Sequence, residues 1–176
     1  MKRRTAGAGA LAALAVAAGA GTAWWRAKAT GEFAAPSPPD LWALAFQDLD
    51  GGLVRMADWR GRPLVLNFWA TWCGPCITEM PLLDQFAKEH SGTGWRVLAL
   101  AIDQADPVRR FLAERSLSLP VALAGPEGID LSRALGNDLG ALPFSVAFDS
   151  TGRPFARKLG ALTPDLLAAW VGLTHR

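Results

Sequence analysis

The sequence predicts an α/β domain, a central mixed β-sheet flanked by helices, and three observations carry that expectation. Apolar runs of strand length recur at 64–69, at 95–102 and after Pro143, nearly without polar interruption, as strands covered on both faces require. Between and after them lie segments with helix-start chemistry: Pro75 close behind Cys73, then Asp106-Pro107, then Thr163-Pro164-Asp165. Strand and helix signals alternate along the chain instead of clustering by kind, which is the order that layers helices on a sheet.

Taken in order, the chain opens on a positive cap, Met1-Lys2-Arg3-Arg4, followed by an uncharged Ala/Gly-rich run from Thr5 to Trp25. Residues 1–29 read as an export signal peptide or a membrane anchor. The run matches the roughly 20 residues that a spanning helix needs, and Trp24-Trp25 before Arg26 suit a bilayer interface. Ala18-Gly19-Ala20 and Ala27-Lys28-Ala29 have the small-x-small form of a cleavage site, so both readings stay open. A soluble Ala-rich helix fits poorly, because Gly7, Gly9, Gly19 and Gly21 would each weaken it. Lys2, Arg3, Arg4, Arg26 and Lys28 hold five of the eighteen basic residues; the remaining thirteen face sixteen acidic ones, a balance of −3. Nothing in that balance calls for nucleic acid as a partner. Residues 30–40, with Pro36-Ser37-Pro38-Pro39, form a short Pro-rich linker, and about 135 residues follow, enough for one domain with its own core.

Within 41–176, residues 41–46 and 53–56 flank the turn-rich Asp48-Leu49-Asp50-Gly51-Gly52 and predict an N-terminal β-hairpin. A connector at 57–61 leads to the strand at 64–69, and a helix is expected from about 75 to 89 with Pro81 inside it. A second buried strand at 95–102 follows. Asp106-Pro107 then opens a helix with Val108, Phe111 and Leu112 on its apolar face, ahead of a short strand at 120–123 and a brief helix at 129–135. Pro143 leads into an apolar strand, Ser150-Thr151-Gly152 turns the chain, and a return strand at 154–159 precedes a terminal helix at 166–173.

The chemistry concentrates where the first buried strand runs out. Cys73-Gly74-Pro75-Cys76 holds both cysteines of the chain. Pro75 suits a first helical turn, where its missing N–H would have no intrahelical partner. Free backbone N–H groups and the positive end of the helix dipole then favour a thiolate at Cys73, the candidate nucleophile. Cys76 lies about one turn on and can reach it as the resolving thiol. A purely structural disulfide closing four residues would add only about 2 kcal/mol. A zinc site would need further ligands, and the chain offers only His90 and His175, far apart and unsuitably spaced, so no metal is expected. A redox pair accounts best for two cysteines flanking Gly-Pro at a helix start.

The stretch Phe68-Trp69-Ala70-Thr71-Trp72-Cys73-Gly74-Pro75-Cys76 resembles the thioredoxin active site, and Glu79-Met80-Pro81 behind it is similar to the TlpA/ResA-like branch of membrane-associated thiol–disulfide oxidoreductases. The resemblance implies a thioredoxin-like fold over 41–176 with an inserted helix-strand element at 108–122. It implies that Pro143 is cis and, with Leu142, Trp72, Gly74 and Pro75, meets the incoming substrate. It also implies no cofactor beyond the Cys73-Cys76 disulfide. Asn67 stands where thioredoxins have a buried aspartate and cannot exchange protons, so the resemblance points to Glu79 as the proton relay. Phe144 departs from cytochrome-maturation members, which often carry a polar or acidic residue there.

By the same resemblance the protein is a reductase of protein disulfides at the periplasm or the outer face of the cytoplasmic membrane. Cytochrome c maturation or copper-site assembly would be its setting, and a DsbD- or CcdA-type membrane protein its electron donor. Two alternatives stand beside this reading: a copper-binding or chaperone module using the same two thiolates, and a thiol peroxidase. The latter usually has a threonine three residues before its nucleophile, where this chain has Ala70 and places Thr71 one residue late.

Overall fold

The computed structural model describes residues 40–174. The expected signal or anchor at 1–29, and the linker up to residue 39, lie outside the described residues. Among the described residues no helix is long and apolar enough to cross a membrane.

The hairpin forms as expected but is shorter. Strands β1 (Ala45–Gln47) and β2 (Leu53–Arg55) pair antiparallel, with Phe46 opposite Val54. Between them Asp48 Oδ1 accepts from the N–H groups of Asp50 (2.9 Å) and Gly52 (2.7 Å), and Gly51 supplies the left-handed φ of 85° that the turn needs. Residues expected to extend β1 instead make a 3-10 turn, Leu41–Ala43, because Asp40 caps it through the Trp42 N–H. A second 3-10 segment, Met56–Trp59, ends the hairpin by burying Met56 and Trp59.

From there the elements follow the expected order. Strand β3 (Leu64–Trp69) is buried along its whole length and runs into helix α1 (Gly74–His90). Strand β4 (Arg96–Ala101), helix α2 (Ala105–Arg115), strand β5 (Val121–Leu123) and helix α3 (Gly128–Ala134) come next. Strands β6 (Phe144–Phe148) and β7 (Pro154–Leu159) precede helix α4 (Pro164–Leu173), whose cap Thr163 accepts from the Leu166 N–H at 3.3 Å.

All seven strands lie in one sheet of order β2-β1-β5-β4-β3-β6-β7. Strands β3, β4 and β5 are mutually parallel; β6 runs antiparallel to β3 and β7 antiparallel to β6. The inserted strand β5 links the hairpin to the central strands, since Leu123 pairs with Gln47 of β1. The period of two divides β3 cleanly between two cores. Val65 and Trp69 face α1, α2 and α4 with Met80, Leu83, Phe111, Leu167 and Trp170. Leu64, Leu66 and Phe68 face the other way, under Met56, Trp59 and Leu131. Asp84 of α1 fastens the insertion to this frame by accepting from the Ser118 N–H (3.0 Å) and Oγ (3.2 Å), while Lys88 of the same helix pairs with its other oxygen (2.6 Å). The C-terminal ends of β3 and β4 and the start of β6 therefore lie together at the end of the sheet where α1 begins.

Candidate active site

At that place the chain leaves β3 through a tight turn in which the Cys73 N–H donates to the Ala70 carbonyl at 3.2 Å. Cys73 is the N-cap of α1, its carbonyl accepting from the Ile77 N–H at 3.1 Å, and Pro75 sits in the first turn as its chemistry requires. Cys73 and Cys76 form a disulfide with Cα atoms 5.2 Å apart. Their exposure is unequal: Cys73 retains 7% and Cys76 none. Trp72, 69% exposed, together with exposed Gly74 and Pro75, makes a rim around the Cys73 sulfur.

A second loop reaches the same end of the sheet. The Leu142-Pro143 peptide bond is cis, and Pro143 lies one residue beyond the Phe68–Phe144 pair, at the end of β3 that runs into the cysteines. Asn137, unremarked in the sequence, holds this loop by donating through Nδ2 to the Ala141 carbonyl (2.9 Å) and Ser132 Oγ (3.0 Å). The Pro143 carbonyl accepts from the Gly160 N–H at 2.8 Å.

Below the disulfide lies a buried polar network. Glu79, one turn beyond Cys76, is 4% exposed, and its Oε1 accepts from Asn67 Nδ2 at 2.8 Å while Oε2 accepts from the Leu162 N–H at 2.6 Å. Asn67 Nδ2 also donates to Ser145 Oγ at 2.9 Å. Burial pushes the Glu79 carboxyl above its ordinary 4.5, and the hydrogen bonds from Leu162 and Asn67 only partly oppose that. Asp103, just past β4, behaves differently. Its Oδ2 accepts from the Thr71 N–H (2.9 Å) and Oγ1 (2.6 Å), and its Oδ1 from the Gln104 N–H (2.7 Å). Partial burial raises its pKa, but these three donors outweigh the rise and leave it below 3.8. Beside it a groove of about 430 Å³ opens between Trp72, Ile102, Gln104, Pro126 and Ile129.

The Redoxin family model matches residues 33–168. The chain belongs to the Redoxin family. ResA, a thiol-disulfide oxidoreductase of Bacillus thuringiensis (strain Al Hakam), is 31% identical over 125 residues, 70% of either chain. Among solved structures, the thioredoxin-related protein of Neisseria meningitidis serogroup B is 26% identical with a TM-score of 0.66, covering 74% of this chain and 98% of that one. A thioredoxin-family thiol:disulfide interchange protein of Chlorobium tepidum TLS has the same fold (TM-score 0.68, 24% identity, 80% and 97% covered). This Redoxin domain is thus a TlpA/ResA-like member of the thioredoxin superfamily and a thiol–disulfide oxidoreductase.

In the Redoxin domain Cys73, Cys76, Glu79, Trp72, Gly74 and Pro75 lie on a single strand-to-helix junction, with Leu142 and Pro143 at the adjacent strand end. Sequence reasoning passed over Ser145 and Asp103. The signal for Ser145 was available: it is a polar residue in an otherwise apolar strand, as Asn67 is, and the two are paired neighbours on β6 and β3. Asp103 had only its place directly after an apolar run. Thr71, the residue weighed for peroxide chemistry, has its hydroxyl committed to Asp103. Among the described residues no group of three or more His, Cys, Asp or Glu side chains could hold a metal ion.

Proposed function

We propose that the protein is an exported reductase of protein disulfides in which Cys73 attacks, Cys76 resolves and Glu79 takes the proton that Cys76 gives up. The observation that carries this reading is the placement of a buried carboxyl of raised pKa one turn beyond a wholly buried Cys76, while Cys73 keeps the exposure. In the reduced enzyme the Cys73 thiolate, favoured at a helix N-cap, attacks one sulfur of the substrate disulfide. A mixed disulfide forms and the other substrate sulfur leaves as a thiolate. Glu79 then takes the proton from Cys76 Sγ, and the new thiolate attacks Cys73 Sγ, forming the Cys73-Cys76 disulfide and expelling the second substrate sulfur. Two electrons pass to the substrate, whose two thiolates take one proton from Glu79 and the second from water, so that it ends as a dithiol. Trp72, Gly74, Pro75, Leu142 and Pro143 contact the substrate, its backbone pairing beside Leu142.

The setting is the periplasm or the outer face of the cytoplasmic membrane, with 1–29 as signal or anchor. In an oxidising compartment the pair needs a membrane donor of the DsbD or CcdA type. Apocytochrome c or copper-site assembly proteins are the substrates this reading favours. Two measurements test it. Cys76→Ser should trap a mixed disulfide with substrate and Cys73→Ser should not; equal trapping by both removes the assignment. Equilibration of the domain with glutathione should give a potential more reducing than glutathione, and a more oxidising one makes the protein an oxidase.

A further inference from the structure

The polar network under the disulfide is satisfied on one side only. Asn67 is fully buried, its amide nitrogen serves both Glu79 Oε1 and Ser145 Oγ, and its Oδ1 has no hydrogen-bond partner. An amide used this unevenly is not locked. Turning it by half a revolution exchanges a donor for an acceptor at the Glu79 and Ser145 side and leaves one amide atom idle either way, so the protonation state of Glu79 decides which orientation is bonded.

Glu79 supplies the bias. Its Oε2 faces the Leu162 N–H, a backbone donor that cannot become an acceptor, so a proton arriving on the carboxyl belongs on Oε1. There it would meet the Asn67 amide N–H, donor against donor. With the amide turned, Asn67 Oδ1 accepts from Glu79 Oε1–H, and the Ser145 hydroxyl, able to give as well as take, reverses and donates to the same oxygen. We propose that Asn67 and Ser145 form a hydrogen-bond switch that follows the proton on Glu79, which makes Asn67 a positioning residue for both protonation states.

This inference rests on the reading of Glu79 as the proton relay. Aspartate at residue 67 could take part in the transfer itself; asparagine here only accommodates it. The ionisable groups facing the network are the two cysteines at the start of α1 and Lys158 on β7, which pairs with Ser145 and shares its face of the sheet. From β4 and α4 the neighbours are apolar, Ala99 and Leu167.

The test is nuclear magnetic resonance of the reduced wild-type domain across the titration of Glu79, its carboxyl carbon identified as the signal lost in Glu79→Gln. The Asn67 side-chain amide should titrate with the same midpoint, and its protons should lose their proximity to Ser145 below that midpoint. Unchanged proximity on both sides overturns the switch. In parallel, Asn67→Leu, able neither to donate nor to accept, should slow resolution of the mixed disulfide about tenfold or more, while alkylation of Cys73 stays within about twofold of wild type. Resolution at the wild-type rate also overturns it. Failure of the relay shows separately, as a Glu79→Gln enzyme whose pH–rate profile matches wild type.

Discussion

Asp103 and Glu79 are both carboxylates bound to the redox junction, the first through Thr71 ahead of Cys73 and the second through α1 behind Cys76, and their pKa values are shifted in opposite directions. Asp103 is half-buried and has three donors; Glu79 is nearly sealed from water and has two. Burial raises both, so the number of donors per unit of lost hydration decides the sign. Asp103 is thereby a fixed anion that staples the turn, and Glu79 a group that holds a proton more readily than an ordinary carboxyl. Their linkage to stability also differs. Glu79, with a raised folded pKa, contributes stability that is full below about 4.5 and is lost as pH rises through its folded value. Asp103, with a lowered one, contributes stability present above about 3.8 and lost as pH falls through its folded value.

Breaking the comparison at Glu79 should have the largest effect. Glu79→Gln keeps the shape and copies the protonated acid, so resolution by Cys76 should slow by about 10- to 100-fold in stopped-flow measurements. The decline in stability as pH rises above the ordinary carboxylate range should disappear with it in urea titrations. Asp103→Ala leaves the Thr71 and Gln104 donors unpaired and should cost about 1–3 kcal/mol by urea denaturation at pH 7. The variant's deficit should shrink below pH 4, where the wild-type carboxylate is itself being lost. Thr71→Val removes one of the three donors and keeps the backbone bond. A loss of about 0.5–1.5 kcal/mol would show that the staple is divisible, and a loss equal to that of Asp103→Ala would show that it is not. Trp72→Ala sharpens the comparison from outside: stability should stay within about 0.5 kcal/mol because the ring is exposed, while protein disulfides should be reduced more slowly than small ones.

The frame of the site was legible because its signals are local. The apolar run Leu64–Trp69 and the proline in the first turn of α1 mark a strand-to-helix junction without help from the rest of the chain. The return strand Pro154–Leu159 was equally plain, bounded by a turn and a glycine. What escaped depends on register. Asn67 was visible as an anomaly in an apolar strand, yet its partner Ser145, and Leu162 that binds Glu79, come from distant segments that only the pairing of β3 with β6 and the approach to α4 bring near. Alternation tells which face a residue takes and not which residue stands opposite it. The first turn at Leu41–Ala43 went unread for a smaller reason: a single cap, Asp40, outweighed the apolar pattern.

The two outer strands of the sheet bear on how such an enzyme avoids pairing edge-on with its clients. A protein that meets polypeptides with exposed, extended backbone risks templating their aggregation along any long free edge. Here β2 offers only three residues, and β7 begins with a proline that has no N–H, shifts register beside Ala147 and Phe148, and carries Arg157 and Lys158. Both margins are therefore poor docking rails. An extended client finds few backbone partners along them, so contact at either edge does not grow into an added strand.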